Sequence, residues 1–387
     1  MGESLSSRAI LEKLVSFNTV SANSNLELIA WVESYLAGHG VTSTRVYDET
    51  GTKASLFANI GPEVEGGIIL SGHTDVVPAE GQAWDTDPFE VVERNGRLYG
   101  RGTADMKGFD ALALWAVPQA LAANLKRPLQ IALSYDEEVG CVGAPPMISA
   151  MAALPKAQAA IVGEPSMMKV VTGHKGMIGF DVHVRGYEVH SSVLDTGVSA
   201  VMYGAELIQW AHAENARMAR EQANALVADF VPPYTTIHVG QISGGTAHNI
   251  TAKDCHFDIS FRVVPGETTS HWETELHNKV AEIEAKMKAI HPECGIDLSE
   301  VFNVPPLAPE RDGVAENLAR SLTGDNANHV VSYATEGGQF QEGGHSVVVC
   351  GPGDIAQAHQ PNEFIEISQL EAGEAFLKRL IKQLEQD

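Results

Sequence analysis

Basic residues are scarce in this sequence: 26 Lys and Arg stand against 50 Asp and Glu, for a formal net charge of −24. No Lys/Arg run occurs. Binding to a polyanion leaves a basic footprint, because neutralised phosphates release counterions, so no nucleic-acid partner is expected. Cysteine is equally sparse. The four thiols, Cys141, Cys255, Cys294 and Cys350, form no C-x-x-C pair, which removes a zinc finger or dithiol redox motif. A few scattered cysteines suit a reducing compartment. No apolar run approaches the roughly 18 residues of a membrane span, so no membrane partner is expected. The opening stretch, MGESLSSRAILEKLVSFN, lacks the basic segment and apolar core of a secretory signal. A cytoplasmic location is the expectation. What is present is globular: 44% of the 387 residues are hydrophobic and 20% charged. That length suffices for two or three domains at about 100–200 residues each.

Short apolar runs punctuate the chain at Leu56–Ile60, Gly67–Leu70, Leu129–Leu133, Ala159–Val162 and Ser346–Val349. Helical periodicity marks Ile10–Phe17 and Leu26–Leu36, and Phe109–Ala123 reads as a helical stretch between apolar runs. Short continuous apolar strands alternating with helices predict an α/β domain, its sheet covered on both faces. A middle region reads differently. Ile178–Val184 alternates like a half-exposed strand; a helix is predicted over Val198–Glu221 and strands over Thr235–Ile242 and Cys255–Val263. A helix then follows a Ser270/Glu273 capping box, with apolar residues at spacings of three and four from Trp272 to Ile290. A last strand near Ile296–Val304 completes the β-α-β-β-α-β order of a ferredoxin-like domain. The expected organisation is a catalytic domain over 1–176 and 306–387, with 177–305 inserted as a lid.

Acids and histidines fall where strands end. Ile68–Leu70 leads into Ser71-Gly72-His73-Thr74-Asp75, and Gln130–Leu133 into Ser134-Tyr135-Asp136-Glu137-Glu138. Ala160–Val162 leads into Gly163-Glu164-Pro165; Val347–Val349 leads into Cys350-Gly351-Pro352-Gly353, with His359 following. Each residue alone has an ordinary reading, as a hydrogen-bonded histidine or a solvated loop acid. Together they occupy four loops at the carboxyl ends of strands, where open α/β sheets bind ligands. Such a pocket would hold more negative charge than it could retain without a cation. Mixed imidazole and carboxylate donors suit Zn²⁺, with Co²⁺ or Mn²⁺ as substitutes, better than Ca²⁺ or Mg²⁺. Two ions about 3.5–4 Å apart can share a carboxylate. Asp105, in the glycine-flanked GRGTADMKG string, is the natural bridge.

The ordered strings SGHTDVVP, GRGTADMKG, DEEVG, GEPS and AHQPNE resemble the di-zinc aminoacylase and carboxypeptidase superfamily over essentially the whole chain. Within it, the segments around Glu336 and His359 are most similar to an amino-acid deacetylase subgroup. The resemblance implies a two-domain, mostly parallel α/β fold with the inserted ferredoxin-like domain serving as lid and dimerisation surface. It implies a homodimer and a small acylated amino acid as substrate. It gives His73 and Glu164 to one zinc, Glu138 and His359 to the other, and Asp105 to both. Asp75 would orient His73, fixing its tautomer. Glu137 would be the general base for a zinc-bound hydroxide. His190 would reach the oxyanion, from its own or the neighbouring subunit. For the substrate α-carboxylate, a bidentate guanidinium is the natural partner; Arg262 is the candidate, with Asn249 assisting, and a surface ion pair is its plainer reading. A desuccinylase acting on succinyl-diaminopimelate, a dipeptidase or carboxypeptidase, and an inactive amino-acid-binding protein are the alternatives.

Overall fold

The computed structural model describes residues 4–221 and 223–386. It separates into two compact units: Met1–Gly173 with Pro309–Val330 and Thr335–Asp387, and His174–Ala308 with Val331–Ala334.

The first unit is built on an eight-stranded sheet. Its order is Ser43–Tyr47, Ala54–Ile60, Leu129–Ser134, Ile68–His73, Ala159–Pro165, Ser346–Gly351, Val171–His174 and His329–Val331. The central four, Leu129–Ser134 through Ser346–Gly351, run parallel, and antiparallel strands flank them. Every residue of Ile68–His73, Leu129–Ser134 and Ala159–Pro165 is buried. Strands covered on both faces explain the continuous apolar runs, in place of an alternating pattern. The helix Lys107–Ala122 packs against Ser7–Val15, Ile367–Leu384 and strand Ile68–His73. Twelve of its residues are buried, so it has no polar face to betray it as amphipathic. Because the four central strands are parallel, their carboxyl ends share one edge of the sheet. His73, Glu137, Glu138, Glu164 and the loop leading to His359 all lie at or beyond those ends.

The second unit follows the order strand Gly176–Arg185, helix Ala200–Met218, strands Thr236–His238 and Ile242–Gly244, strand Asp254–Val263, helix Thr269–Ile290, strand Gly295–Val304. Its antiparallel sheet runs Thr236–His238, Asp254–Val263, Gly176–Arg185, Gly295–Val304, with Ile242–Gly244 pairing on Asp254–Val263. One face is apolar: Phe180, Val182, Val184, Cys255, Phe257, Ile259 and Phe261 pack on Trp272, Leu276, Ile283 and Met287 of the long helix.

Two local expectations are corrected here. The strand read as Thr235–Ile242 is interrupted, because the Asp258 carboxylate accepts hydrogen bonds from Gly240 N (3.0 Å) and Gln241 N (2.7 Å) in place of ladder partners. The helix cap is Thr268, not Ser270: Thr268 is extended (φ −116°, ψ 151°) and its hydroxyl accepts from His271 N at 3.1 Å. A cap needs that non-helical backbone, and Ser270 already lies in the first turn.

Candidate active site

Seven of the expected residues converge in the first unit. His73 is the last residue of its strand and wholly buried. Its Nδ1 lies 2.9 Å from the Asp75 carbonyl oxygen and 3.5 Å from the Asp75 carboxylate, so Nδ1 donates to Asp75 and Nε2 is the nitrogen turned inward toward the other acids. That inward nitrogen is 3.1 Å from Asp105 Oδ1 and 3.6 Å from Glu164 Oε1. The other Asp105 oxygen, Oδ2, lies 3.4 Å from His359 Nε2, which is itself 3.0 Å from Glu138 Oε2. Asp105 thus offers one oxygen to each imidazole. Donor atoms of His73, Glu137 and Glu164, and likewise of His73, Asp105 and Glu138, all lie within 4.8 Å of one another.

Asp75 ties the loop after Leu129–Ser134 to this centre. Its buried carboxylate accepts from Glu137 N (3.0 Å), Glu138 N (3.3 Å) and Ser21 Oγ (2.8 Å). The same loop turns through Asp136 at φ 55°, and Lys53 pins the Asp136 carboxylate at 2.5 and 2.7 Å. The paired acids therefore project from a segment held on both sides, and the Glu137 carboxylate also accepts from the Cys141 thiol at 3.4 Å.

Two further acids belong to the site, and neither was assigned from the sequence. Glu363, 1% exposed, accepts from Ala104 N and Asp105 N through one oxygen (2.9 and 3.0 Å). Its other oxygen takes Gly102 N (3.1 Å) and Arg101 Nη1 (2.7 Å). This fixes the loop that presents Asp105, and Gly102 adopts φ 83° there, which favours glycine. Glu336 lies beneath the strand ends and accepts from the hydroxyls of Ser71 and Ser134.

The electrostatics are those of an uncompensated anionic pocket. Burial raises Glu137 well above the carboxylate range, with Glu138, Asp105 and Glu336 adding to it against the pull of His73. Burial and Asp105 raise Glu164 similarly and push Glu138 up to about 7. Burial, with a contribution from Asp75, pushes Glu336 up to about 7 against its bonds to Ser134 and Ser71. His359 rises to about 10 through its bonds to Asp105 and Glu138. Burial opposes charge on His73, but Asp105, Asp75 and Glu164 outweigh it and raise its pKa well above the usual histidine range. A dication would reverse this balance, demanding neutral imidazoles and ionised carboxylates. The donor set fits one: Glu138 Oε1 and Glu164 Oε1 are buried without a hydrogen-bond partner among the described residues, and an orphaned buried acceptor is costly unless an ion takes it. Two overlapping donor groups sharing His73, with Asp105 facing both imidazoles, suit a dinuclear centre.

The remaining expected residues lie in the second unit. His190 is exposed, its Nδ1 2.8 Å from Ser192 Oγ. Asn249 is exposed on the neighbouring segment, where its carbonyl accepts from Ser191 N at 2.9 Å. Arg262 is exposed near the end of its strand, and its guanidinium contacts Met177 Sδ at 3.4 Å. The surface ion pair that was its plainer reading does not form among the described residues.

Comparison with known proteins places the chain in a family. Residues 69–383 match the model of peptidase family M20/M25/M40. Acetylornithine deacetylase of Myxococcus xanthus is 36% identical over 97% of this chain and 96% of its own length. That of Proteus mirabilis is 31% identical over 96% and 95%. Among solved structures, a metallo-carboxypeptidase of Sulfolobus solfataricus matches with a TM-score of 0.78 at 18% identity, over 98% of this chain and 99% of its own. Human carnosine dipeptidase 1 matches at 0.71 and 17%, over 98% and 97%. At those identities the structures speak for the fold, and the family match with the curated relatives speaks for descent. With a parallel sheet delivering histidines and carboxylates to one edge, and kinship along nearly its full length, the chain belongs to peptidase family M20/M25/M40 and is a metal-dependent amidohydrolase.

Proposed function

We propose that this protein hydrolyses Nα-acetyl-L-ornithine to L-ornithine and acetate, as a zinc enzyme in which Co²⁺ can substitute. His73 and Glu164 would hold one ion, Glu138 and His359 the other, and Asp105 both. Asp105 standing within 3.1 and 3.4 Å of two imidazoles supports that division. Bound ions supply Lewis acidity for the amide carbonyl and acidify water. The protein's own contribution is positional and protonic. Glu137 accepts the proton of the attacking water and returns it to the departing amine, since an amine anion is not a viable leaving group. Asp75 keeps His73 in the Nδ1-protonated tautomer and holds the backbone of Glu137 and Glu138 in place.

The acetylornithine assignment draws on the similarity to curated acetylornithine deacetylases over nearly the whole chain. A panel of Nα-acetylornithine, succinyl-diaminopimelate and dipeptides, compared by kcat/KM, tests it. Acetylornithine is expected to be the best substrate by at least about tenfold; negligible turnover of it beside robust turnover of another would refute the assignment. His190 is proposed to donate to the oxyanion, and Arg262 with Asn249 to hold the α-carboxylate. His190→Ala should lower kcat and Arg262→Ala should raise KM. A homodimer formed through the second unit is proposed as well, and light scattering checks it.

A further inference from the structure

Apart from Arg262, proposed above to hold the substrate carboxylate, the second unit's sheet has a polar face that the amide chemistry does not use. Along Asp254–Val263 the buried residues Cys255, Phe257, Ile259, Phe261 and Val263 alternate with Asp254, His256, Asp258, Ser260 and Arg262. On Gly176–Arg185 the matching outward positions are Asp181, His183 and Arg185. The strand register sets His256 directly beside His183, and His183 directly beside Asp297. The two imidazoles stack at 4.1 Å between centroids and 14° between planes. Asp254 Oδ1 lies 2.8 Å from His183 Nε2. An open cavity of about 380 Å³ lies over the face, lined in part by Asp181, His183, His256 and Asp258.

We propose that His183, His256 and Asp254 form a binding site for a borderline divalent transition-metal ion, separate from the amidohydrolase centre. Donor atoms of all three lie within 4.8 Å of one another. Two imidazoles and one carboxylate match the preference of Zn²⁺, Ni²⁺ and Cu²⁺, whereas Ca²⁺ and Mg²⁺ select oxygen. Direct cross-strand neighbours hold their side chains close by geometry alone, so the rigid sheet provides two of the three ligands without a closing loop. The choice of carboxylate follows from the neighbours. Asp297 is committed to Arg185, which donates to both of its oxygens at 2.7 and 3.2 Å. Asp258 is committed to the backbone of Gly240 and Gln241. Asp254 is left with only its contact to His183, and its side chain is 48% exposed, free to turn toward an ion. With three protein ligands and open solvent above, the fourth position would be taken by water or an external donor.

The test counts metal instead of activity. Holoprotein is dialysed to equilibrium against Zn²⁺, and bound zinc is measured by mass spectrometry in the wild type and in the double variant His183→Asn/His256→Asn. The wild type is expected to hold one equivalent more than the double variant, while both retain the same activity on the preferred amide substrate. Asp254→Asn should weaken that extra equivalent at least about tenfold. Should the double variant fold poorly, His256→Asn alone, at an exposed position, repeats the comparison. In parallel, the paramagnetic resonance spectrum of Cu²⁺ added to wild type carrying zinc at the amidohydrolase centre alone should show coupling to two imidazole nitrogens. Equal zinc content in wild type and variants, or a copper spectrum unchanged by the variants, would overturn the proposal.

Discussion

Replacing Asp75 by Asn removes one charge while keeping the side chain's shape, and the structure fixes what that costs. The two carboxylate oxygens accept three hydrogen bonds, from Glu137 N, Glu138 N and Ser21 Oγ, in a residue only 2% exposed. Burial alone would raise the Asp75 pKa, yet its contacts with His73 and Ser21 and the Glu137 N–H hold it below the usual carboxylate value. An Asn side chain keeps a single acceptor and turns an NH₂ toward a backbone N–H or the Ser21 hydroxyl. One buried donor then loses its partner, at about 1–3 kcal/mol of stability. The partner of His73 also loses its charge, and such losses typically weaken metal binding by about 10–100-fold. Urea denaturation of the metal-free protein reads the first effect. Competition with a chromophoric chelator reads the second, and kcat/KM should fall at least in proportion. Ser21→Ala is the control: it removes one bond and leaves the charge, so stability should drop by about 0.5–1.5 kcal/mol with metal affinity nearly kept. Wild-type metal affinity and kcat/KM in Asp75→Asn would refute the reasoning.

Other outcomes follow from the same geometry. Glu363→Ala leaves Arg101 buried without its carboxylate and frees three backbone N–H groups around Asp105; a loss of about 3–5 kcal/mol is expected by denaturant melting, with impaired metal binding. At Gly72 an added Cβ would fall 2.2 Å from Asp110 Oδ1 and 2.9 Å from Met106 Cε, so Gly72→Ala should cost about 1–3 kcal/mol and lower the melting temperature. His174 is fully buried, and burial lowers its pKa from 6.5 to about 4. Because the unfolded chain binds this proton first, stability is complete above pH 6.5 and falls as pH drops toward about 4. The loss reaches about 3 kcal/mol. His174→Asn should flatten that part of the stability–pH curve, and an unchanged slope would contradict the assignment.

Much of this site was visible in the sequence because the strands that carry it are buried on both faces. Continuous apolar runs such as Ile68–Leu70 and Ile131–Leu133 advertise where they stop, and the residues just beyond, His73 and Glu137–Glu138, are where an open sheet binds ligands. Glu363 carried no such sign. It follows a Pro-Asn turn and acts on backbone more than 250 residues earlier, through hydrogen bonds that no spacing encodes. Arg101 was hidden for the same reason. Glu336 stands just before a helix of only six residues, Gly337–Glu342, too brief for periodicity, and its partners Ser71 and Ser134 come from two different strands. In the second unit, the apolar repeat from Trp272 to Met287 matched the buried face, whereas the cap was misplaced by two positions among Thr268, Thr269 and Ser270, three residues with equal capping chemistry. Three-residue edge strands such as Val92–Arg94 are partly exposed and lack any run to read.

The central claim, that Glu137 moves the proton for a metal-dependent amide hydrolysis, is tested most directly by the kcat of Glu137→Gln on Nα-acetylornithine, with bound metal measured on the same sample. The expected result is a fall of about 10²–10⁴-fold in kcat with the metal content of the wild type retained. A Glu137→Gln protein that keeps its metal and turns over at the wild-type rate would contradict the account.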